Sequence, residues 1–172
     1  DLATNSFGQG VSTTPIQIMM ATSAIANGGT MVTPHVLYGM VRNGEQYNIP
    51  VQDAGTPISS QTARDLSEML ANSLAYEESL ALVPGYRLAG KTGTAQIPTE
   101  YGWYATDVTN SSFIGWGPVD DPQFMIYVWL EEPSASIWAS YTAAPVFSQV
   151  AETTTLLLNI PPDQVRHQLA TK

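Results

Sequence analysis

The sequence predicts an α+β domain, in which an antiparallel sheet carries helices on both faces. Apolar residues recur at helical spacing in three stretches, which start near residues 15, 60 and 142. The apolar runs 111–116 and 123–130 are separated by a short proline-bearing turn, so the strands that they predict run antiparallel. The second run does not alternate with polar residues, which indicates a strand that is buried on both faces of its sheet.

The first two helices have recognisable start signals. Thr14 and Gln17 have the spacing of a capping box, and Asn27-Gly28-Gly29 ends the helix that follows. Ser59 or Ser60 caps a second helix, whose acidic residues are predicted to form a solvated face. Its predicted buried stripe comprises Ala63, Leu66, Met69, Leu70 and Leu74.

A hairpin lies between these helices, and two helices are predicted near the end of the chain. Residues 30–41 predict a strand that is interrupted at Pro34, Asn43-Gly44 is a favourable hairpin turn, and residues 47–51 predict the return strand. The last long helix is predicted over residues 142–159, with a short helix starting at Asp163.

Residues 99–110 are polar and are predicted to form a loop that carries three aromatic side chains, Tyr101, Trp103 and Tyr104. Two interpretations of this loop stay open. Exposed aromatic rings would suit a lid or a contact surface, and the same rings could instead pack onto the body of the domain.

The composition bounds the class of protein. The length of 172 residues suits one domain or a large part of one. The formal net charge of −9 argues against binding to nucleic acid or to anionic membrane surfaces, because both require clustered lysine and arginine. The absence of cysteine excludes disulfides, thiolate catalysis and cysteine-ligated metals. No run of apolar residues reaches the length of a membrane span.

The stretch 88–96 carries an unusual local chemistry. If it forms a strand, Thr92 and Thr94 lie on one face, and Lys91 and Gly93 lie on the other. Two neighbouring hydroxyl groups with an ammonium nearby can bind a carboxylate, and the glycine permits close approach of another segment. The three residues Lys91-Thr92-Gly93 alone would also be explained by an exposed lysine before a turn.

A series of six segments extends over nearly the whole chain: 7–10, 14–17, 24–29, 85–96, 112–116 and 144–147. In this order, the series resembles the C-terminal half of the transpeptidase domain of class B penicillin-binding proteins. This resemblance implies an α+β fold with a five-stranded antiparallel sheet, and it implies serine acyl transfer from D-Ala-D-Ala stem peptides of peptidoglycan. It further implies binding of β-lactams and a location outside the cytoplasm, with a membrane anchor in the whole protein.

The resemblance also implies roles for the central stretch. Lys91 would add positive charge and assist proton transfer, and Thr92 and Thr94 would hold the carboxylate of the substrate or drug. The backbone N–H of Thr94 would be one donor of an oxyanion hole. Gly93 would let the strand lie close to its neighbours. No cofactor or metal ion is expected in this chemistry.

The chain departs from the family pattern in a decisive way. A Ser-x-x-Lys motif would require serine at position 88 or 169, where the sequence has Leu88 and Leu169, and Ser-x-Asn does not occur. Residues 1–172 are therefore expected to be the C-terminal part of one incomplete transpeptidase domain, inactive alone and partnered by the missing N-terminal half. The strand 124–130 is expected to expose an apolar edge that favours a homodimer or a domain swap.

Three alternatives to a transpeptidase remain open. One is a non-catalytic penicillin-binding-like module that binds peptidoglycan or a partner protein. The others are a serine β-lactamase or β-lactam sensor, and a D,D-carboxypeptidase of the same fold.

Overall fold

A computed structural model describes residues 8, 10–99 and 104–170, except for the side chains of residues 105 and 106. Antiparallel strands alternate with helices in the described part of the chain, which confirms the predicted α+β class. The helices are α1 (Pro15–Ala26), α2 (Ser60–Tyr76), α3 (Ala143–Leu157) and α4 (Asp163–Ala170). The strands are β1 (Val32–Thr33), β2 (Gly39–Arg42), β3 (Glu45–Asn48), β4 (Gln52–Asp53), β5 (Ala89–Pro98), β6 (Tyr104–Gly117) and β7 (Phe124–Leu130).

The main sheet has the strand order β5-β6-β7, with both pairs antiparallel. Its central strand, β6, pairs with β5 from Ala89↔Trp116 onward and with β7 from Ser111↔Leu130 to Gly117↔Phe124. Within the described residues, β5 and β7 therefore form the two edges of this sheet. The short turn between β6 and β7 dictates the antiparallel arrangement, as the sequence predicts.

Helices pack against both faces of the sheet, as the uninterrupted apolar strand predicts. On one face, α3 places Phe147 against Phe113, with ring centroids 4.5 Å apart. On the other face, α1 and α2 cover Trp116, which packs with Ala89 and Ala71. This second face is covered incompletely, because Trp129 of β7 is 48% exposed.

The predicted capping signals are confirmed. In α1, the backbone N–H of Thr14 donates to Gln17 Oε1 at 2.8 Å, and the N–H of Gln17 donates to Thr14 Oγ1 at 3.3 Å. Ser59, not Ser60, caps α2, because its hydroxyl oxygen accepts from the N–H of Thr62 at 3.1 Å. These contacts satisfy backbone donors that have no partner inside the helix.

The buried stripe of α2 is only partly as predicted. Ala63 and Leu74 are buried, but Met69 is exposed, and Ser67 and Ala71 take buried positions instead. Spacings of four residues from Ala63 place Ser67 and Ala71 on its face. The helix therefore rests on small side chains, which allow it to approach the sheet closely.

The hairpin turn is confirmed, but the strand bounds differ from those predicted. Asn43 and Gly44 both have positive φ, 54° and 82°, as a two-residue hairpin turn between β2 and β3 requires. The return strand is Glu45–Asn48 rather than 47–51. The pairing of β1 with β4, which brackets the hairpin, was not predicted.

The prediction of a loop over 99–110 is wrong for its second half. Residues 104–110 form the first half of β6 and pair with the end of β5. Their polar side chains suit a strand because neighbouring segments supply partners: Thr109, almost fully buried, donates its hydroxyl to the carbonyl of Ile137 at 2.6 Å. Tyr101 and Trp103 lie outside the described residues.

Candidate active site

Strand β5 presents the Lys91-Thr92-Gly93-Thr94 sequence in the middle of a regular antiparallel ladder. The register places Thr92 opposite Phe113 and Thr94 opposite Ser111, and it places Lys91 opposite Ile114. Since side chains alternate along a strand, the two threonines share the face that α3 covers, and Lys91 and Gly93 share the other. The side chains are therefore divided between the two faces of the strand as predicted.

The ammonium of Lys91 lies beside Thr92. Lys91 Nζ donates to the Thr92 carbonyl oxygen at 3.0 Å and to Thr92 Oγ1 at 3.2 Å. The Lys91 side chain is exposed, whereas Thr92 is half-buried. The Lys91 side chain thus bends around the edge of the strand and places its charge next to the Thr92 hydroxyl group.

Thr94 connects β5 to the segment that follows β7. Its Oγ1 accepts a hydrogen bond from the backbone N–H of Ala139 at 3.3 Å, and Ala139 is fully buried. A hydroxyl group can accept and donate at the same time, so this contact leaves the Thr94 hydrogen available to donate. The sequence carried no signal for this contact, because Ala139 contributes only its backbone.

Two glycines of β5 lie where a side chain would meet the neighbouring strand. A Cβ atom on Gly93 would lie 2.5 Å from Ser112 Oγ, and one on Gly90 would lie 2.7 Å from Phe113 Cε1. The neighbour of Gly93 is therefore a side chain of the adjacent strand. The sequence did not single out Gly90, although a Cβ atom at this position would collide with the Phe113 ring in the core of the sheet.

A cavity of about 420 Å³ opens beside the start of β5. It lies between the end of α2, the connection that follows it, and the segment just before α3. Glu77 and Glu78, at the end of α2, belong to the acidic residues that are predicted to form its solvated face. Both are exposed, and they also line this cavity together with Lys91 and Tyr141. The cavity therefore combines one ammonium with two carboxylates next to Thr92, whereas Thr94 does not line it.

An ion pair lies where the chain enters β5. The Arg87 guanidinium binds both carboxylate oxygens of Glu68 on α2, at 2.9 and 2.7 Å, and Asn72 at 2.8 Å. This hydrogen bonding lowers the pKa of the Glu68 carboxyl and raises the pKa of Arg87. The pair attaches the entry of the strand to the helix that covers it.

Across residues 10–99 and 104–170, no three histidine, aspartate or glutamate side chains group as a metal ion would require. In the same part of the chain, every helix is too short or too polar to cross a membrane.

Comparisons with known proteins identify the relatives of this chain. Residues 1–152 match the family model described as the penicillin binding protein transpeptidase domain. The chain is 35% identical to the stage V sporulation protein D of Bacillus subtilis, over 93% of this chain and 25% of that protein. It is 31% identical to a peptidoglycan D,D-transpeptidase FtsI homolog of Mesostigma viride, over 93% of this chain and 29% of that protein.

A solved structure shows the same fold. Penicillin-binding protein 3 of Mycobacterium tuberculosis, crystallised with ampicillin, superposes with a TM-score of 0.76 at 33% identity, covering 90% of this chain and 37% of the other. The present chain thus spans about a quarter of the length of the curated relatives above. The family match, the similar relatives and the shared fold together show that the chain belongs to the transpeptidase domain family of the penicillin-binding proteins.

Proposed function

We propose that this chain supplies the Lys-Thr-Gly strand of a serine-type peptidoglycan D,D-transpeptidase. One observation carries the proposal: Thr92 and Thr94 share one face of a sheet-edge strand, with the Lys91 ammonium 3.2 Å from the first hydroxyl group. In the proposed reaction, a serine attacks the D-Ala-D-Ala carbonyl, and the terminal D-alanine leaves. An amine of a second stem peptide then attacks the acyl-enzyme and releases the serine.

The two threonines are proposed to bind the carboxylate of the stem peptide or of a β-lactam. Thr94 retains a donor because its oxygen, not its hydrogen, is used by Ala139. Thr92 accepts from Lys91, so its own hydrogen is also free for a carboxylate. Hydrogen bonds to a charged acceptor are about twice as strong as neutral ones, so two such donors would orient the substrate firmly.

Lys91 is proposed to supply positive charge and to assist proton transfer, and the Thr94 N–H is proposed as one oxyanion donor. The second donor would be the N–H of the nucleophile. Loss of one such donor typically costs about 2.7–4 kcal/mol of transition-state stabilisation. The ladder with β6, which places Thr94 opposite Ser111, supports this role, because it limits where the strand can lie.

The nucleophile is proposed to come from a segment outside this sequence, since residues 1–172 contain neither Ser-x-x-Lys nor Ser-x-Asn. The whole protein would then join that segment to the strand β5 across the active site. Because peptidoglycan lies outside the cytoplasm, we also propose an extracytoplasmic location, with a membrane anchor in the whole protein. The M. tuberculosis relative with ampicillin bound supports β-lactams as ligands of this class of site.

The absence of the serine motifs supports a second candidate, a non-catalytic module that binds peptidoglycan or a partner protein. A β-lactamase, a β-lactam sensor and a D,D-carboxypeptidase are less well supported, because the relatives above bear sporulation and transpeptidase names. The fate of the acyl-enzyme separates these classes. A β-lactamase releases the opened drug rapidly, whereas a transpeptidase stays acylated.

Intact-mass spectrometry after incubation with benzylpenicillin tests the proposal. We expect no adduct on this chain alone and one adduct on the full-length gene product. In the full-length protein, Thr94→Val should slow acylation by about 10- to 150-fold, the range for a hydrogen bond to a charged group. Thr94→Ser, which keeps the hydroxyl group, is the matched control.

Two results would contradict the proposal. A stoichiometric adduct on the isolated chain would reveal a different nucleophile and would require new roles for the residues around Lys91. A full-length protein that never becomes acylated would favour the non-catalytic module.

A further inference from the structure

The start of β5 is held by the C-terminal segment, through residues outside the region of the family match. The family model covers residues 1–152, whereas α4 begins at Asp163. Asp163 Oδ2 accepts from the backbone N–H of Arg87 at 2.6 Å, and the N–H of Asp163 donates to the Gly85 carbonyl at 2.9 Å. These two bonds join the beginning of α4 to the chain just before β5.

The same carboxylate is fixed from its other side. Asp163 Oδ1 accepts from Arg166 Nη2 at 2.7 Å, and the same nitrogen donates to Asp120 Oδ1 at 2.6 Å. The side chain of Arg166 is only 14% exposed. Asp163 therefore uses both carboxylate oxygens, one for the backbone before β5 and one for a well-shielded guanidinium.

Further contacts hold Tyr86 and Arg87, which lie shortly before β5, on three sides. The Tyr86 hydroxyl donates to the Ile160 carbonyl at 2.7 Å, and the Arg87 carbonyl accepts from the N–H of Val119 at 3.0 Å. The Arg87 side chain binds Glu68 of α2. The chain before β5 is thus held by the C-terminal segment, by the turn between β6 and β7 and, through the Arg87 side chain, by α2.

This arrangement matters because β5 lies at an edge of the sheet. Among the described strands, only β6 pairs with it. Lys91 follows Arg87 by four residues, a distance of roughly 13 Å along an extended chain. A shift at Arg87 would therefore be transmitted along the strand to Lys91 and Thr94, with only one ladder to resist it.

We propose that Asp163 is a positioning residue for acyl transfer, which acts through the Arg87 amide to set the position of β5. This inference rests on the proposed function of the strand. Its key atom is the carboxylate oxygen that accepts from Arg87, and the ion pair with Arg166 serves to orient that oxygen.

Three variants of the full-length protein separate these contributions. Asp163→Ala removes the acceptor, Asp163→Asn keeps an oxygen acceptor without the charge, and Arg166→Gln removes the guanidinium but leaves the acceptor. We expect Asp163→Ala to slow acylation by benzylpenicillin by between about tenfold and a hundredfold, since a displacement near 1 Å can cost that much. The loss should fall on the acylation step and not on the initial binding of the drug.

The other two variants are controls for folding. Arg166→Gln leaves both carboxylate oxygens of Asp163, and in Asp163→Asn the amide oxygen can still accept from Arg87 while its NH2 group faces Arg166. Both variants should therefore lower the thermal midpoint while keeping acylation within about threefold of the wild-type rate. If Asp163→Asn loses as much acylation as Asp163→Ala, or if all three variants lose acylation in proportion to stability, the inference is overturned. Should Asp163→Ala not fold, Asp163→Asn and Arg166→Gln keep the inference falsifiable, because a loss of acylation of more than about threefold in either variant would overturn it.

Hydrogen exchange on this chain separates failure of the inference from failure of the proposed function. We expect Asp163→Ala to accelerate exchange of the amides in 88–96, with little change in α1, and Asp163→Asn to leave the 88–96 amides protected. A wild-type full-length protein that is not acylated by benzylpenicillin would refute the proposed function. Hydrogen exchange would still show whether Asp163 holds β5 in position. Unchanged exchange in Asp163→Ala would overturn the positioning role itself.

Discussion

The main sheet and the β2–β3 hairpin are both antiparallel, but different forces hold them. In the sheet, Phe113, Trp116 and Phe147 are buried between strands and helices. In the hairpin, Val41 is 74% exposed and Tyr47 is 50% exposed, and among the described strands β2 and β3 pair only with each other. The hairpin therefore depends on its turn, whereas the sheet depends on segments that are distant in sequence. The candidate active site lies in the sheet, and it therefore depends on contacts between distant segments.

Removal of a buried ring should show this difference most strongly. Phe147 is fully buried, and its Cζ would lie 2.6 Å from a Cβ placed on Gly115, so little space exists for rearrangement. Phe147→Ala should lower the free energy of unfolding by about 3–5 kcal/mol. Urea unfolding measures this change. Val41→Ala in the hairpin is the control and should alter stability by less than about 0.5 kcal/mol. Equal losses would mean that the hairpin packs against the body in solution.

The edge of β7 and the β2–β3 hairpin both expose apolar side chains, but they should differ in self-association. We propose that the free edge of β7 pairs with a second copy of the chain, because an apolar edge strand has unpaired backbone groups. Light scattering after size exclusion should show a dimer for the wild type and a monomer for Trp129→Lys, which places a charge on the edge strand. Val41→Lys should remain dimeric. A wild-type monomer at high concentration would disprove this pairing, and a dimer lost only in Val41→Lys would assign it to the hairpin.

Acid should weaken the contacts around the sheet by a smaller amount. Partial burial alone would raise the pKa of Asp120, but hydrogen bonds from Arg166 and the backbone, with the Arg166 charge, lower it overall. The pKa of Glu68 is lowered by Arg87. Their stabilising effect is complete above the ordinary carboxyl pKa values, 3.8 and 4.5, and is lost as the pH falls through the lower folded values.

Unfolding measured between about pH 6 and pH 2 tests this prediction. Stability should fall with decreasing pH, and Asp120→Asn should make the slope shallower. Asp65→Asn, which removes a carboxylate bonded by the neutral side chain of Gln61, is the control. An unchanged slope in Asp120→Asn would show that its contacts with Arg166 contribute nothing to folding.

Local signals in the sequence determined much of the secondary structure. Thr14 with Gln17 started α1, and Asn43-Gly44 set the hairpin turn. Period-two alternation placed Thr92 and Thr94 on one face of β5. These features depend on residues a few positions apart, so the chain specifies them before any distant contact forms.

The remaining features of the site needed the tertiary structure. The polar run 104–110 became a strand because β5 was available to pair with it, and Met69 became exposed because α2 approaches the sheet through Ser67 and Ala71. Ala139 reaches Thr94 from 45 residues away, and Asp163 reaches Arg87 from 76 residues away. No local pattern encodes such contacts, because they depend on which surfaces pack together. The sequence by itself therefore determined the chemistry of the strand, and only the tertiary structure decided what holds it in place.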